Sequence, residues 1–221
     1  MARLFHLPVI CLSVAACARG LAPGEADFAR VLFGDSLDQG RVVIQAGLGL
    51  TPPPGDPEPE ASGEDPAPPP NRPPEGICTR EPSPREGLQW PAGMVLWNQI
   101  FLKRDVYRSD MMAGWPRVVP LPQALLMAHE LVHVWQWQNR ARTDYDPATS
   151  GAETVRSRDP YWYAPEADRA FLTYGFEQQA AMIEDYVCYT MFDPRAPRRA
   201  ALRTLIDPVL PLDGFDARLG R

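Results

Sequence analysis

No run of about 20 apolar residues occurs in the sequence, so no transmembrane helix is expected. Basic residues do not gather into a face. The 22 Lys and Arg stand against 28 Asp and Glu, for a formal net charge of -6 and a pI near 5.1, which argues against nucleic acid as a partner. The most basic stretch, Arg195, Arg198, Arg199 and Arg203, is spaced like a solvated helix face. Four cysteines are present without a Cys-x-x-Cys pair, so a zinc site built from them is not expected. Histidine is limited to three positions, His6, His129 and His133. The chain does have 221 residues and 45% hydrophobic content, enough for one domain of ordinary size plus extra segments.

The N-terminus speaks to compartment. Arg3 precedes an apolar run from Leu7 to Ala16 that ends in Val14-Ala15-Ala16-Cys17. A short apolar stretch closing on small residues reads as an export signal, too short to span a bilayer. The Val-Ala-Ala-Cys ending resembles a bacterial lipobox, so residues 1–17 are expected to be a lipoprotein signal with Cys17 as the lipidated residue. A membrane anchor on the periplasmic side of the envelope, outer membrane foremost, follows; ordinary secretion is the alternative. Cys78 and Cys188 would then remain in an oxidising compartment and could pair as a disulfide.

Residues 18–50 read as ordered. Pro23 is placed to open a helix that runs to Phe33, with Gly34 just beyond it. Residues 42–48 read as a strand, begun by Val42-Val43-Ile44. Residues 51–86 change character, holding 13 of the 26 prolines and eight acidic residues against three arginines. Such a stretch cannot bury enough apolar surface to offset chain entropy, and a proline-rich acidic insertion is expected. The core resumes over residues 87–221. Strands are expected over 94–103 with a turn at Asn98-Gln99, then a helix from Gln123 to Arg140, a polar turn-rich stretch to Pro165, a mainly helical stretch from Glu166 to Phe192, and a short helix over 198–206.

Inside the helix 123–140 stands His129-Glu130-Leu131-Val132-His133. Residues i and i+4 share a helix face, so the two imidazoles can address one ion. Glu130 is rotated about 100° from His129, bordering that site as a general base for a metal-activated water. The flanking residues are apolar, and burying polar groups without partners costs about 2–7 kcal/mol each. A bound cation removes that penalty; a hydrogen-bonded core cluster without an ion is the alternative. A third ligand is needed to leave one open position. Glu177 is the chosen candidate, two turns before Glu184 on one helix face; Glu184 and Asp185 are alternatives, or partners for the second nitrogen of a histidine. Tyr161, Tyr163 and Tyr174 are candidates to stabilise a developing oxyanion, and Gln136 to line the cleft or hold a ligand.

His129-Glu130-x-x-His133 followed by a helix-borne Glu177 resembles the gluzincin branch of zinc metallopeptidases. Leu21 to Glu25, Phe33-Gly34, Leu37-Asp38, Arg41-Val42, Trp135-Gln136 and Glu177-Gln178-Gln179-Ala180 together resemble uncharacterised bacterial zincin-like domains found beside type VI secretion and Rhs-type components. The resemblance implies an α+β, zincin-like fold with a small antiparallel sheet over a central helix carrying the motif, and with C-terminal helices. It also implies Zn2+, hydrolysis of a peptide or protein substrate, and an envelope or secretion partner. The proline-rich insertion and the lipobox depart from the resemblance. A non-catalytic, zinc-stabilised binding or assembly module is the competing function.

Overall fold

The computed structural model describes residues 18–56, 78–83, 91–164 and 169–221. Cys17 and the signal, most of the proline-rich insertion, and Glu166 lie outside the described residues.

The chain opens with the two-residue strand β1 (Ala18–Arg19), then α1 (Pro23–Phe33). Pro23 occupies the first helical turn and Gly34 follows the end at φ 55°, the asymmetry expected of helix termini. Glu25 ties this region together. Its carboxylate accepts from Ala22 N at 2.8 Å, from Arg19 Nη1 at 2.6 Å and from Met111 N at 2.8 Å. It is fully buried, and its hydrogen-bond partners are backbone N–H groups and a guanidinium. Gly24 lets the backbone of Met112 approach, since a Cβ there would lie 2.7 Å from its carbonyl oxygen.

Strands β2 (Val43–Ala46), β3 (Gly93–Leu96) and β4 (Gln99–Leu102) complete a sheet in the order β1-β2-β4-β3. The sheet is mixed where a wholly antiparallel one was expected. β3 and β4 form an antiparallel hairpin, and β1 is antiparallel to β2, but β2 runs parallel to β4. Parallel neighbours need a long connection, and residues 47–98 supply it. The hairpin turns at Trp97-Asn98, one residue earlier than Asn98-Gln99, with Trp97 at φ 60°.

Helix α2 (Gln123–Gln138) follows, apolar on nearly every side and almost wholly buried. It packs against the sheet and along α5 (Phe176–Phe192), while α3 (Arg140–Thr143) and α4 (Pro147–Arg156) connect them. α4 lies in the stretch read from sequence as turns. Asp146 caps it by accepting from Thr149 N at 2.9 Å, with Pro147 in its first turn. Near the other end of the expected helix, residues 169–175 are irregular apart from a 3-10 turn, and α5 starts only at Phe176. α6 (Pro197–Ile206) packs on α5, and α7 (Asp213–Arg218) packs on α1. Phe28, Leu32, Trp135, Ile183, Tyr186 and Phe215 belong to one continuous core. No helix among the described residues is long and apolar enough to cross a membrane.

Candidate metal centre

The α2–α5 contact brings one residue set together. His129 and His133 lie on the same face of α2, and their Nε2 atoms are 3.3 Å apart. Glu177, in the first turn of α5, directs Oε2 between them, at 3.2 Å from His129 Nε2 and 3.3 Å from His133 Nε2. All three residues are buried and could together hold a metal ion. The edges of this triangle match the chemistry. A tetrahedral ion with bonds of about 2.0–2.1 Å has ligand-to-ligand edges of about 3.3–3.4 Å.

The atoms turned away from the triangle are held as well. His129 Nδ1 lies 3.2 Å from Glu184 Oε2, so an Nδ1–H donated there leaves Nε2 unprotonated toward the centre. His133 Nδ1 is 2.8 Å from Gln136 Oε1, and Gln136 Nε2 donates to Gln179 Oε1 at 3.0 Å. Glu177 Oε1 accepts from Ser150 Oγ at 3.2 Å and Thr154 Oγ1 at 3.1 Å. Such contacts set ring orientation and tautomer in metal sites. Asp185 faces elsewhere, accepting from Tyr163 Oη at 2.6 Å and from Arg80.

Charge in the cluster is strongly redistributed. Burial works against the imidazolium of His129, but hydrogen bonds to Glu177 and Glu184 outweigh it and push its pKa up to about 10. Burial likewise opposes charge on His133, yet Glu177 raises it. Burial alone would raise Glu177; the two histidines instead hold it well below the usual carboxylate range. Glu130 responds oppositely, pushed up to about 7 by burial against the pull of His129 and His133. Its Oε2 is buried with no hydrogen-bond partner among the described residues. An acid left this way is costly unless something is there to meet it.

The aromatic candidates separate. The Tyr161 ring packs edge-on to His129 with centroids 5.6 Å apart. The Tyr163 hydroxyl is engaged with Asp185, and Tyr174 donates to Ala164 O at 3.2 Å and carries Arg169 over its ring. Tyr145 stacks on His133 with centroids 5.9 Å apart. Cys78 and Cys188 are joined by a disulfide with Cα atoms 5.5 Å apart.

Four participants escaped the sequence reading. Ser150 and Thr154 sit at i and i+4 on α4, and the Asp146-Pro147 start of that helix was the available signal. Gly93 begins β3 against Glu130, where a Cβ would fall 2.5 Å from Glu130 Oε1; a lone glycine at a strand start carries that meaning only once its neighbour is known. Arg80 gave no signal, being one of three arginines in a proline-rich stretch.

No protein-family model and no curated protein matches the chain. Among solved structures, the effector domain of Pseudomonas aeruginosa VgrG2b is similar, with a TM-score of 0.53 and 20% identity, over 91% of this chain and 88% of that one. Identity at that level speaks to the fold alone, which is α+β with a small mixed sheet and seven α-helices among the described residues.

Proposed function

We propose that the chain is a zinc-dependent peptide-bond hydrolase. His129, His133 and Glu177 would hold the ion, and Glu130 would act as general base. The observation that carries this reading is the His129–His133–Glu177 triangle, whose edges of 3.2–3.3 Å suit one tetrahedral ion and leave a fourth position open. A bound zinc ion would supply Lewis acidity, lowering the pKa of a water and polarising a carbonyl.

The protein's own groups do the rest. The buried Glu130 carboxylate, whose Oε2 has no hydrogen-bond partner among the described residues and whose pKa is pushed up to about 7, is suited to take a proton near neutral pH and return it to a leaving amine. The Tyr161 ring beside His129 makes it the oxyanion candidate that the geometry favours over Tyr163 and Tyr174. Among the described residues β3 lies at one edge of the sheet, and its Gly93 stands against Glu130. An extended peptide could pair with that edge and pass the base, the strand-addition mode of recognition. A peptide or protein substrate fits this arrangement.

Export and a lipid anchor at Cys17 belong to the same proposal, supported by the lipobox and by the Cys78–Cys188 disulfide, which suits an oxidising compartment. The likeness to an effector domain supports a secretion or envelope partner. The test combines metal analysis with proteolysis. Purified protein should hold about one zinc per chain, and Glu130→Gln should keep the metal and lose cleavage. Stoichiometric zinc with no cleavage of any peptide by the wild type would reject the hydrolase and leave the zinc-stabilised binding module.

A further inference from the structure

Arg80 reaches the metal centre from outside it, and a covalent bond holds it there. Cys188 lies on α5 one turn beyond Glu184, and its disulfide to Cys78 spans a sequence separation of 110. Both cysteines are buried. Two residues after Cys78, the Arg80 guanidinium meets α5, with Nη2 at 3.0 Å from Glu184 Oε2 and 2.8 Å from Asp185 Oδ1. Further along, Ser83 N donates to Asp159 Oδ2 at 2.6 Å. Residues 78–83 are therefore a strap fastened to the body at three points.

The Glu184 atom that accepts from Arg80 is the one that faces His129. Oε2 takes both contacts, at 3.0 Å from Arg80 Nη2 and 3.2 Å from His129 Nδ1. Glu177, Glu184 and Glu130 put three carboxylates around two imidazoles, and Asp185 adds a fourth beside Glu184 on the Arg80 side. Arg80 pairs with both Glu184 and Asp185, whereas His129 meets Glu184 alone. Without it, Glu184 would repel its acidic neighbours and its hold on the His129 ring would loosen. Partners one step removed from a metal commonly change its affinity 10–100-fold.

We propose that Arg80 is a positioning residue of the metal centre, and that the Cys78–Cys188 bond keeps it in place, so that the site reaches full metal affinity only in the oxidised protein. The inference rests on the reading of His129, His133 and Glu177 as ligands. A protein of this design matures after reaching an oxidising compartment and binds metal weakly before it. Reduction in vitro takes two electrons from a water-soluble phosphine. The phosphine leaves as its oxide with oxygen from water, and the two protons go to the Cys78 and Cys188 thiols.

The test is zinc affinity by competition with a chromophoric chelator, together with the visible spectrum of Co2+-loaded protein. Oxidised wild type, phosphine-reduced wild type, the double variant Cys78→Ser/Cys188→Ser, Arg80→Met, Arg80→Lys and His129→Ala are compared. Arg80→Met keeps the disulfide, so it separates positioning from folding. Reduced wild type, the double serine variant and Arg80→Met should each bind zinc about 10–100-fold more weakly than oxidised wild type. Their Co2+ spectra should shift, and Arg80→Lys should recover part of the affinity. Unchanged affinity and spectrum in Arg80→Met, or in the double serine variant, overturns the inference while the ligand assignment stands. Failure of oxidised wild type to bind zinc, or equal binding by His129→Ala, overturns the ligand assignment and this inference with it.

Discussion

At the residue scale, the site is a problem of placing charge in an apolar helix. Four groups titrate against one another in a small volume, and the outcome depends on which has a partner. Glu177 faces two histidines and stays ionised; Glu130 faces a glycine and is driven toward its neutral form. Gly93 thus matters to Glu130 despite having no side chain, since a Cβ there would fall 2.5 Å from Glu130 Oε1. Gly93→Ala would press on the Glu130 carboxylate, and the expected result is a peptidase that retains zinc but loses roughly 10- to 100-fold in kcat, within the range assigned to a general base. Steady-state kinetics beside metal analysis checks it, and an unchanged kcat would count against the role of Glu130. Metal uptake should also release protons. The pKa of His129, pushed up to about 10 in the metal-free cluster, means that it holds an extra proton at neutral pH, and that of His133 is raised as well. A cation must displace that proton. Affinity should therefore rise with pH, and calorimetric titrations in two buffers of different ionisation enthalpy should give different apparent enthalpies. Identical enthalpies would refute it.

At the scale of elements, three helices build the centre by different physical routes. α2 brings its face to the site because it is buried almost everywhere, so its two histidines have no water to turn to. α5 approaches closely because Ala180 and Ala181, both fully buried, keep its surface narrow near Glu177. α4 is polar, with Ser150 its one buried residue, and it is kept in place partly by what it does: two hydroxyls aimed at Glu177. Removing both with Ser150→Ala/Thr154→Val should free one carboxylate oxygen and weaken zinc binding about 10-fold or more, leaving far-UV circular dichroism nearly unchanged. Chelator competition measures the first and the spectrum the second.

At the scale of the molecule, a long cross-link and an ion would share the work of stabilising a small sheet and a helical body. Under the chain-entropy account, a disulfide closing a loop of about 100 residues is worth up to about 4.7 kcal/mol. The double variant Cys78→Ser/Cys188→Ser should lose roughly 3–5 kcal/mol by denaturant titration. A loss below about 1 kcal/mol would show that the denatured chain is already restrained in that region. Chelation should lower the thermal midpoint further, since an ion bound only by the native state stabilises it by mass action.

Much of this was legible in the order of residues. The ends of α1 were announced by Pro23 and Gly34, the burial of α2 by its apolar composition, and the candidate metal-ligand pair by the spacing of His129 and His133. These are local features, and local chemistry is written in local order. Glu177 could be chosen ahead of Glu184 and Asp185, but the alternatives stayed open, because the choice depends on how α5 meets α2. The parallel pairing of β2 with β4, the hydroxyls of α4, the glycine against Glu130 and the arginine behind Glu184 were all decided by tertiary contacts. Each depends on residues far apart in the chain arriving at one place, and that arrival is set by the packing of the whole core rather than by any stretch of sequence read alone.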